Sequence, residues 1–505
     1  MIKVLLDGKS KLSLLENGLA IRGNLTISGD ASKEKDFGKK VELLLEDLQE
    51  TNTNFSLIVW DDNRVFAAVD QIRSMPIYYA NMNQRFYISD SIDELMENIP
   101  NAEYDKESIE EFKEAGYVTS KNTLVKNIYA LQSGEYILYD REINQFHIKE
   151  YVTYGVRNVI PYTAEEAINK MKEVQKEVFH DLIDTLGGRQ VVIPLSGGYD
   201  SRLLLEMLCS LGYKNILCFT YGKKGNVEAI VSEKVAREYD VPWCFVEYTE
   251  KKLKAIMESE KYKAYIRYAN GGISLAHMQD FLAVCELKEQ SILQEDAIFI
   301  PGHAYDFLAG THLTNRLMNP EITLEEIADE VIKKHYVYNS VNYDARISKI
   351  KAELKQCQGE SGEGKYHYWE WKERQSKYIA HAITVYEFFG YEWRLPFWDR
   401  RLMEYWDTVP VEMRKDRKLF LQYMKKDAVA DNIKSANDRK MKKIRNYIPA
   451  SILLKLYRVK CLMTDNLCFN STLNFKDKLK YVFKYDSFTV NNIESNLLHV
   501  IGDIK

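Results

Sequence analysis

The spacing of apolar and polar positions changes character near residue 155. Phe55-Ser56-Leu57-Ile58-Val59-Trp60 and Val65-Phe66-Ala67-Ala68-Val69 are β-rich runs on either side of the polar stretch Asp61-Asp62-Asn63-Arg64, which predicts a hairpin. Ile77-Tyr78-Tyr79-Ala80 and Arg85-Phe86-Tyr87-Ile88-Ser89, around the turn 81–84, predict a second, and Ser133 to Tyr139 followed by Asp140-Arg141 predicts a further strand and turn. From Thr163 the period lengthens: Ala164, Ala167, Ile168, Met171, Val174, Val178, Leu182 and Ile183 recur three and four apart, as on an amphipathic helix. A domain boundary is therefore expected around Pro161, dividing the chain into 1–158 and 159–505.

Past Gly187-Gly188, the runs Val191–Leu195, Asn215–Thr220 and Trp243–Val246 read as strands. They alternate with Leu203–Leu208 and a helical Val231–Tyr239. Strand alternating with helix predicts an α/β fold with a doubly wound parallel sheet. Beyond residue 320 the segments are charged and helical in period, so the C-terminal part is expected to be helical. Gly359-Glu360-Ser361-Gly362-Glu363-Gly364-Lys365 fits the opening of a Walker A loop, but Tyr366 stands where a magnesium-binding hydroxyl belongs and no apolar strand precedes it. It is read as a mobile surface loop.

At 505 residues the chain has room for two to four domains of roughly 150 residues. Its 69 Lys+Arg against 74 Asp+Glu leave a net charge of −5, which argues against a nucleic-acid binder that works by bulk positive charge. The first residues are too weakly apolar for a secretory signal, and no run of about 18 apolar residues occurs, so a cytoplasmic protein without a transmembrane segment is expected. Seven cysteines at 209, 218, 244, 285, 357, 461 and 468 form no CxxC pair and read as the scattered thiols of a reducing compartment. Residues 399–460 hold 17 Lys+Arg and 8 Asp+Glu, richest at Arg439–Arg445. This segment reads as a basic rim that draws in ATP or a nucleotide-linked sugar, or as a plain solvated helix.

The sharpest local signal is Leu195-Ser196-Gly197-Gly198-Tyr199-Asp200-Ser201-Arg202, set between an apolar strand and a helix. Adjacent glycines let backbone N–H groups approach a polyanion, the helix presents its positive end, and the serines add hydroxyl donors. Asp200 would then hold a divalent cation.

This segment resembles the PP-loop of ATP pyrophosphatases, and the chain resembles the asparagine synthetase family. Phe219-Thr220-Tyr221-Gly222 is similar to the family's second strand, Gly302-His303-Ala304-Tyr305-Asp306-Phe307-Leu308-Ala309-Gly310 to its Gly-rich acidic turn, and Tyr391 to Asp399 to its Glu-x-Arg-x-Pro-Phe segment. Lys418-Leu419-Phe420-Leu421 falls at its late lysine, and Val59-Trp60-Asp61, Val69-Asp70, Pro76 to Tyr79 and Gly116-Tyr117 match its glutaminase domain. The resemblance implies an N-terminal Ntn-type, β-rich glutaminase-like domain and a PP-loop synthetase domain. It also implies activation of a carboxylate by ATP as an acyl-adenylate, with pyrophosphate leaving and an amine attacking.

By the same resemblance, Leu195, Ser196, Gly197, Gly198, Asp200, Ser201, Phe219, Tyr221 and Gly302 bind ATP, Asp200 and Asp306 bind Mg2+, and Lys418, Glu392 and His303 are catalytic. The expected partners are a small-molecule carboxylate such as a nucleotide-linked sugar, an ammonia or amine donor, and a second copy of the chain in a homodimer.

Two departures matter. Position 2 is Ile2 followed by Lys3, so loss of Met1 exposes no nucleophile, and the first cysteine comes only at 209; the glutaminase-like domain is expected to be inactive. Phe307 follows Asp306 where asparagine synthetases carry an acid, and His303 replaces an earlier carboxylate, so aspartate is not the expected substrate. The turn more closely resembles asparagine-synthetase-like proteins of surface-polysaccharide pathways, which implies amidation of a sugar uronic acid. A lactam- or isopeptide-forming cyclase and a non-catalytic nucleotide-binding protein are the alternatives.

Overall fold

The computed structural model describes residues 1–7, 12–15, 18–156, 158–337 and 341–424. Its N-terminal part is a sandwich. Six strands run in the order Gln145–Glu150, Glu135–Asp140, Arg64–Val69, Phe55–Trp60, Leu19–Gly23 and Leu12–Leu15, all antiparallel. The expected hairpin pairs Val59 with Phe66. Its two-residue period serves two layers at once. Leu57, Val59, Phe66 and Ala68 face the helix Phe37–Glu50 through Val41, Leu44 and Leu48. Ile58, Val65, Ala67 and Val69 face a second sheet of four strands through Ile77, Tyr79, Phe86 and Ile88.

The helix predicted from Thr163 spans Ala164–Leu186. Thr163 and Glu166 form a reciprocal capping box at its start, and Gly187 closes it at φ 58°. It leads into a five-stranded, wholly parallel sheet in the order Trp243–Glu247, Ile216–Gly222, Val191–Pro194, Ile298–Phe299, Glu392–Trp393. From the central strand the chain winds outward on one side through helices Tyr199–Ser210 and Val227–Glu238, then returns to add the last two strands on the other side. The winding reverses between Val191–Pro194 and Ile298–Phe299. A crevice is left there at the carboxyl ends of the strands, the place where open α/β sheets take their ligands.

From Leu324 to Met424 the described residues are mostly helical, as the charge period predicts; residues 425–505 lie outside the described residues. The Gly359–Lys365 segment corrects the expectation of a mobile loop. Ser361 caps the helix Gly362–Glu370 by accepting from the Gly364 N–H at 3.1 Å, and a Cβ on Gly359 would stand 2.5 Å from the Gly155 carbonyl, so the stretch is tightly packed.

The two halves are joined by buried charge. Glu111, fully buried, accepts from Lys349 Nζ at 2.6 Å, Thr119 Oγ1 at 2.6 Å and Tyr336 OH at 3.0 Å. Glu114 accepts from Arg346 Nε at 2.7 Å. On the π-helical turn Trp371–Ile379, Lys372 reaches Glu135 at 3.0 Å, while Glu373 accepts from Ser120 N–H and Gln132 Nε2, both at 2.9 Å. Among the described residues no helix is long and apolar enough to cross a membrane.

Candidate active site

A cavity of about 290 Å³ opens at the reversal point of the parallel sheet, lined along its floor by Pro194, Ser196, Gly198, Asp200, Ser201, Pro301 and Gly302. One strand of the floor ends at Pro194, and the Ser196-Gly197-Gly198 loop then turns into the helix Tyr199–Ser210, whose N-cap is Gly198. Ser196 Oγ accepts from the Gly198 N–H at 3.1 Å, and Ser201 Oγ accepts from the Ser196 N–H at 3.1 Å and lies 3.2 Å from Ser196 Oγ. The loop is thus preformed as a cradle over a helix N-terminus, with hydroxyls and N–H groups suited to an anion.

The second strand of the floor leads through Pro301 to Gly302. A Cβ there would stand 2.7 Å from the Ser201 N and 2.9 Å from its Cα. Gly302 therefore serves close approach of two backbones. Ala304 follows in the left-handed region at φ 83°, a conformation that costs a non-glycine residue roughly 1–2 kcal/mol. It turns the chain so that the Asp306 N–H donates to Asp200 Oδ2 at 3.0 Å.

Asp200 and Asp306 both line the cavity. Burial, followed by the charge of Asp306, raises the Asp200 pKa well above its ordinary value, against the opposing pull of the Asp306 N–H and Arg417. Two carboxylates held this way are a misfit until a cation joins them, and Mg2+ typically takes one or two protein carboxylates and completes its shell with phosphates and water. The donor set therefore fits Mg2+ carried with a polyphosphate. Among the described residues no group of three or more His, Cys, Asp and Glu side chains is arranged to hold a metal without such help.

Of the other expected residues, Tyr221 and His303 line the cavity. Leu195 and Phe219 are core residues whose backbones pair, the Leu195 N–H donating to the Phe219 carbonyl at 2.9 Å; their side chains are buried in the apolar cluster. Gly197 is buried in the loop between lining neighbours. Lys418 is exposed at the start of helix Lys418–Met424, and it is its neighbour Arg417 that lines the cavity. Asp416 and Arg417, at φ 59° and 57°, make the consecutive left-handed turn that brings it there.

Glu392 is not brought to the cavity. It pairs in register with Ile298 and Ile298 with Val191, which puts it at the amino edge of the sheet. There it accepts from Arg189 Nη1 at 2.9 Å and Arg394 Nη2 at 3.2 Å. Burial would raise its pKa, but these two arginines lower it, as expected of a structural ion pair.

Of the basic segment 399–460, residues 425–460 lie outside the described residues. In the described part Arg401 pairs with Asp399 at 2.8 Å and Asp181 at 2.7 Å, and Arg414 is fully buried against the Leu308 carbonyl. Apart from Arg417, these arginines hold the fold together.

The lining residues His277, Gln279 and Asp280 belong to no motif of the sequence. The only signal for them is that they form a short polar set interrupting an apolar stretch directly before the apolar helix Phe281–Glu289.

An anion cradle at the switch point of a parallel sheet, with a double-sheet sandwich ahead of it, defines the class: an α/β PP-loop protein with an Ntn-type N-terminal domain. Residues 42–152 match the glutamine amidotransferase domain family, and residues 184–435 match the asparagine synthase family. The chain belongs to the asparagine synthetase family.

It is 24% identical over 162 residues to asparagine synthetase [glutamine-hydrolyzing] 1 of Bacillus subtilis (strain 168), a match spanning 30% of this chain and 24% of that protein's length. Among solved structures it is similar to an NH3-dependent NAD synthetase from Campylobacter jejuni subsp. jejuni, at 16% identity and a TM-score of 0.19 over 29% of this chain and 60% of that one. It is also similar to the glutamine phosphoribosylpyrophosphate amidotransferase of B. subtilis, at 10% identity and a TM-score of 0.19 over 49% and 75%. Structural likenesses this slight say nothing about activity.

Proposed function

We propose that the protein is an ATP-dependent carbon–nitrogen ligase. It activates a carboxylate as an acyl-adenylate with release of pyrophosphate, and ammonia or an amine then attacks. The observation that carries this reading is the convergence of the Ser196, Gly198 and Ser201 cradle, the carboxylates of Asp200 and Asp306, and the Arg417 guanidinium on one cavity. The cradle grips the polyphosphate, and Arg417 faces the negative charge that grows as pyrophosphate departs. Asp200 and Asp306 hold magnesium, which when bound neutralises phosphate charge. Lys418, the next residue, is exposed at the start of its helix and is the cation expected from the family resemblance.

The N-terminal domain does not hydrolyse glutamine. Ile2 lies in the strand Ile2–Leu5, paired with Phe86, and residues 1–208 hold no cysteine to attack a glutamine amide. Nitrogen then arrives as free ammonia, from a partner, or on the substrate.

The acceptor is a sugar uronic acid of surface-polysaccharide synthesis. Away from the phosphate cradle the cavity offers Gln279, His303 and the Tyr221 ring, a set that suits a hydroxyl-rich acceptor better than the charged backbone of an amino acid. Pyrophosphate release with ATP, Mg2+ and ammonium, run on UDP-glucuronate, free uronates and aspartate, tests the reading. Release that requires a uronate and falls further in Arg417→Ala than in Lys418→Ala supports it. Uronate-dependent release without ammonium incorporation moves it toward a cyclase. Tight ATP binding with no release on any carboxylate overturns it.

A further inference from the structure

The segment between helices Glu260–Asn270 and Phe281–Glu289 is held in place by tyrosine hydroxyls. Tyr265 OH donates to the His277 carbonyl, and Tyr248 OH donates to the Gln279 carbonyl at 2.6 Å and accepts from the Ala283 N–H at 3.0 Å. Asp280 takes Tyr221 OH on Oδ1 at 2.6 Å and Tyr386 OH on Oδ2 at 2.6 Å. Tyr221 is itself stacked on Tyr248 with ring centres 4.9 Å apart, and Tyr386 on Phe299 at 4.3 Å. Tyrosines from separate elements of the fold thus fix one short stretch of cavity wall. A turn this tightly held is a positioned group, since an ordinary surface connection would need none of these bonds.

What they position is an imidazole beside a carboxylate. His277 Nε2 lies 3.6 Å from Asp280 Oδ1, with the His277 side chain 21% exposed to the cavity and that of Asp280 7% exposed. We propose that His277, oriented by Asp280, is the general base that takes a proton from the attacking nitrogen in the aminolysis half of the reaction, a role that rests on the ligase reading above. As the C–N bond forms, the bond from the acyl carbon to the AMP oxygen breaks and its electron pair leaves with AMP. The nitrogen sheds one proton if it arrives as ammonia and two if it arrives as ammonium.

With the Nε2 proton directed at Asp280, Nδ1 keeps its lone pair for that proton. Asp280 stays ionised to do this. Burial would raise its pKa, but the nearby His277 and the hydrogen bonds from Tyr221 and Tyr386 outweigh burial and hold it at about 2. At 3.6 Å the pair is longer than a hydrogen bond, as catalytic contacts often are in a site without substrate. His303, across the cavity, is a weaker base. Burial and the neighbouring His277, against Asp280, bring its pKa down to about 4, and its buried Nδ1 has no partner among the described residues. The titratable groups facing His277 are Asp280 on its own segment, His303 from the Gly302 turn and His381 from the turn Ala380–Ile383.

The test separates the two half-reactions in the full chain. With UDP-glucuronate as probe, His277→Gln keeps ATP–pyrophosphate exchange but loses amide formation from ammonium by on the order of 10²–10⁴-fold. Hydroxylamine, which is unprotonated near neutral pH, restores capture of the adenylate as hydroxamate. In Asp280→Asn amide formation falls while exchange is kept, because His277 loses the carboxylate that orients it. Exchange and amidation that fall together, or neither falling, overturn the proposal.

If wild type shows no exchange with any uronate, the ligase reading fails, and 15N NMR of labelled histidines still decides the pair. The His277 ring signals must shift in Asp280→Asn, which removes the carboxylate 3.6 Å away. Signals unmoved there overturn the pairing whatever the substrate.

Discussion

Two carboxylates in this molecule, Glu111 at the junction of the halves and Asp200 in the cavity, meet opposite surroundings. At the junction of the two halves Glu111 meets Lys349 and two hydroxyls, Glu114 meets Arg346 and Glu135 meets Lys372. The charges of Lys349 and Arg346 overcome burial and hold the Glu111 pKa below its ordinary value. In the cavity Asp200 faces a second carboxylate, and its pKa is driven up. The junction completes its electrostatics from within the chain, whereas the cavity leaves its own incomplete. Buried charge that is internally balanced holds a fold together; buried charge left out of balance at the reversal point of a sheet is a site built for something the chain does not contain.

The largest effect is expected where a balanced pair is broken. Arg346→Met leaves Glu114 buried without its cation and costs about 3–5 kcal/mol of stability. Denaturant unfolding would measure the loss, and pyrophosphate release per folded molecule should stay as in wild type. A stability change under about 1 kcal/mol would mean that the junction pair is not what holds the halves together.

Breaking the unbalanced site should do the reverse. Asp200→Asn removes a like charge, so the folded chain gains stability near neutral pH, while pyrophosphate release falls on the order of 10²–10³-fold, about 2.7–4 kcal/mol of lost transition-state stabilisation. A variant that lost both stability and activity would make Asp200 one more structural carboxylate and erase the contrast.

A smaller change probes the frame of the cavity without touching its charge. Gly302→Ala drives a methyl into the Ser201 backbone, 2.7 Å from its N, and forces the two strand ends apart at a cost of about 1–3 kcal/mol. ATP affinity measured by calorimetry should weaken while the junction pairs stay intact. Unchanged affinity would mean that the cradle tolerates the spread.

What the sequence made legible follows the same division. The cradle could be read because one short stretch holds its parts: an apolar strand, adjacent glycines, two serines and a helix start between Val191 and Ser210. The sandwich hairpins could be read because each strand is buried on both faces in strict alternation. Glu392 misled because its segment matches a family pattern, yet only the register of a two-residue strand reveals that it stands at the far edge of the sheet. The neighbouring strand Ile298–Phe299 is equally short and has no period to show. His277 and Asp280 were hidden because their meaning lies in tyrosines up to 106 positions away, brought together by packing alone.

The subtlest expected effect concerns pH, and it sets the two regions against each other directly. Glu111 has a lowered folded pKa, so its contribution to stability is fully present above its ordinary value of 4.5 and is lost only as the pH falls below that toward the folded value. Asp200 has a raised folded pKa, so between its ordinary value of 3.8 and the raised one the folded chain binds more protons than the unfolded. Stability from this group therefore falls as pH rises through the raised value and recovers on acidification. The Tm of wild type and of Asp200→Asn, followed from about pH 8 to about pH 5, isolates that group, since the junction contributes equally to both proteins. The variant's advantage should shrink steadily as the pH drops and Asp200 in the wild type takes up its proton. At the alkaline end, added Mg2+ with ATP should shrink it too, by supplying the wild-type pair with the cation it lacks. A Tm difference that stays constant with pH would mean that Asp200 does not titrate in this range, and the cavity would then be as well balanced as the junction.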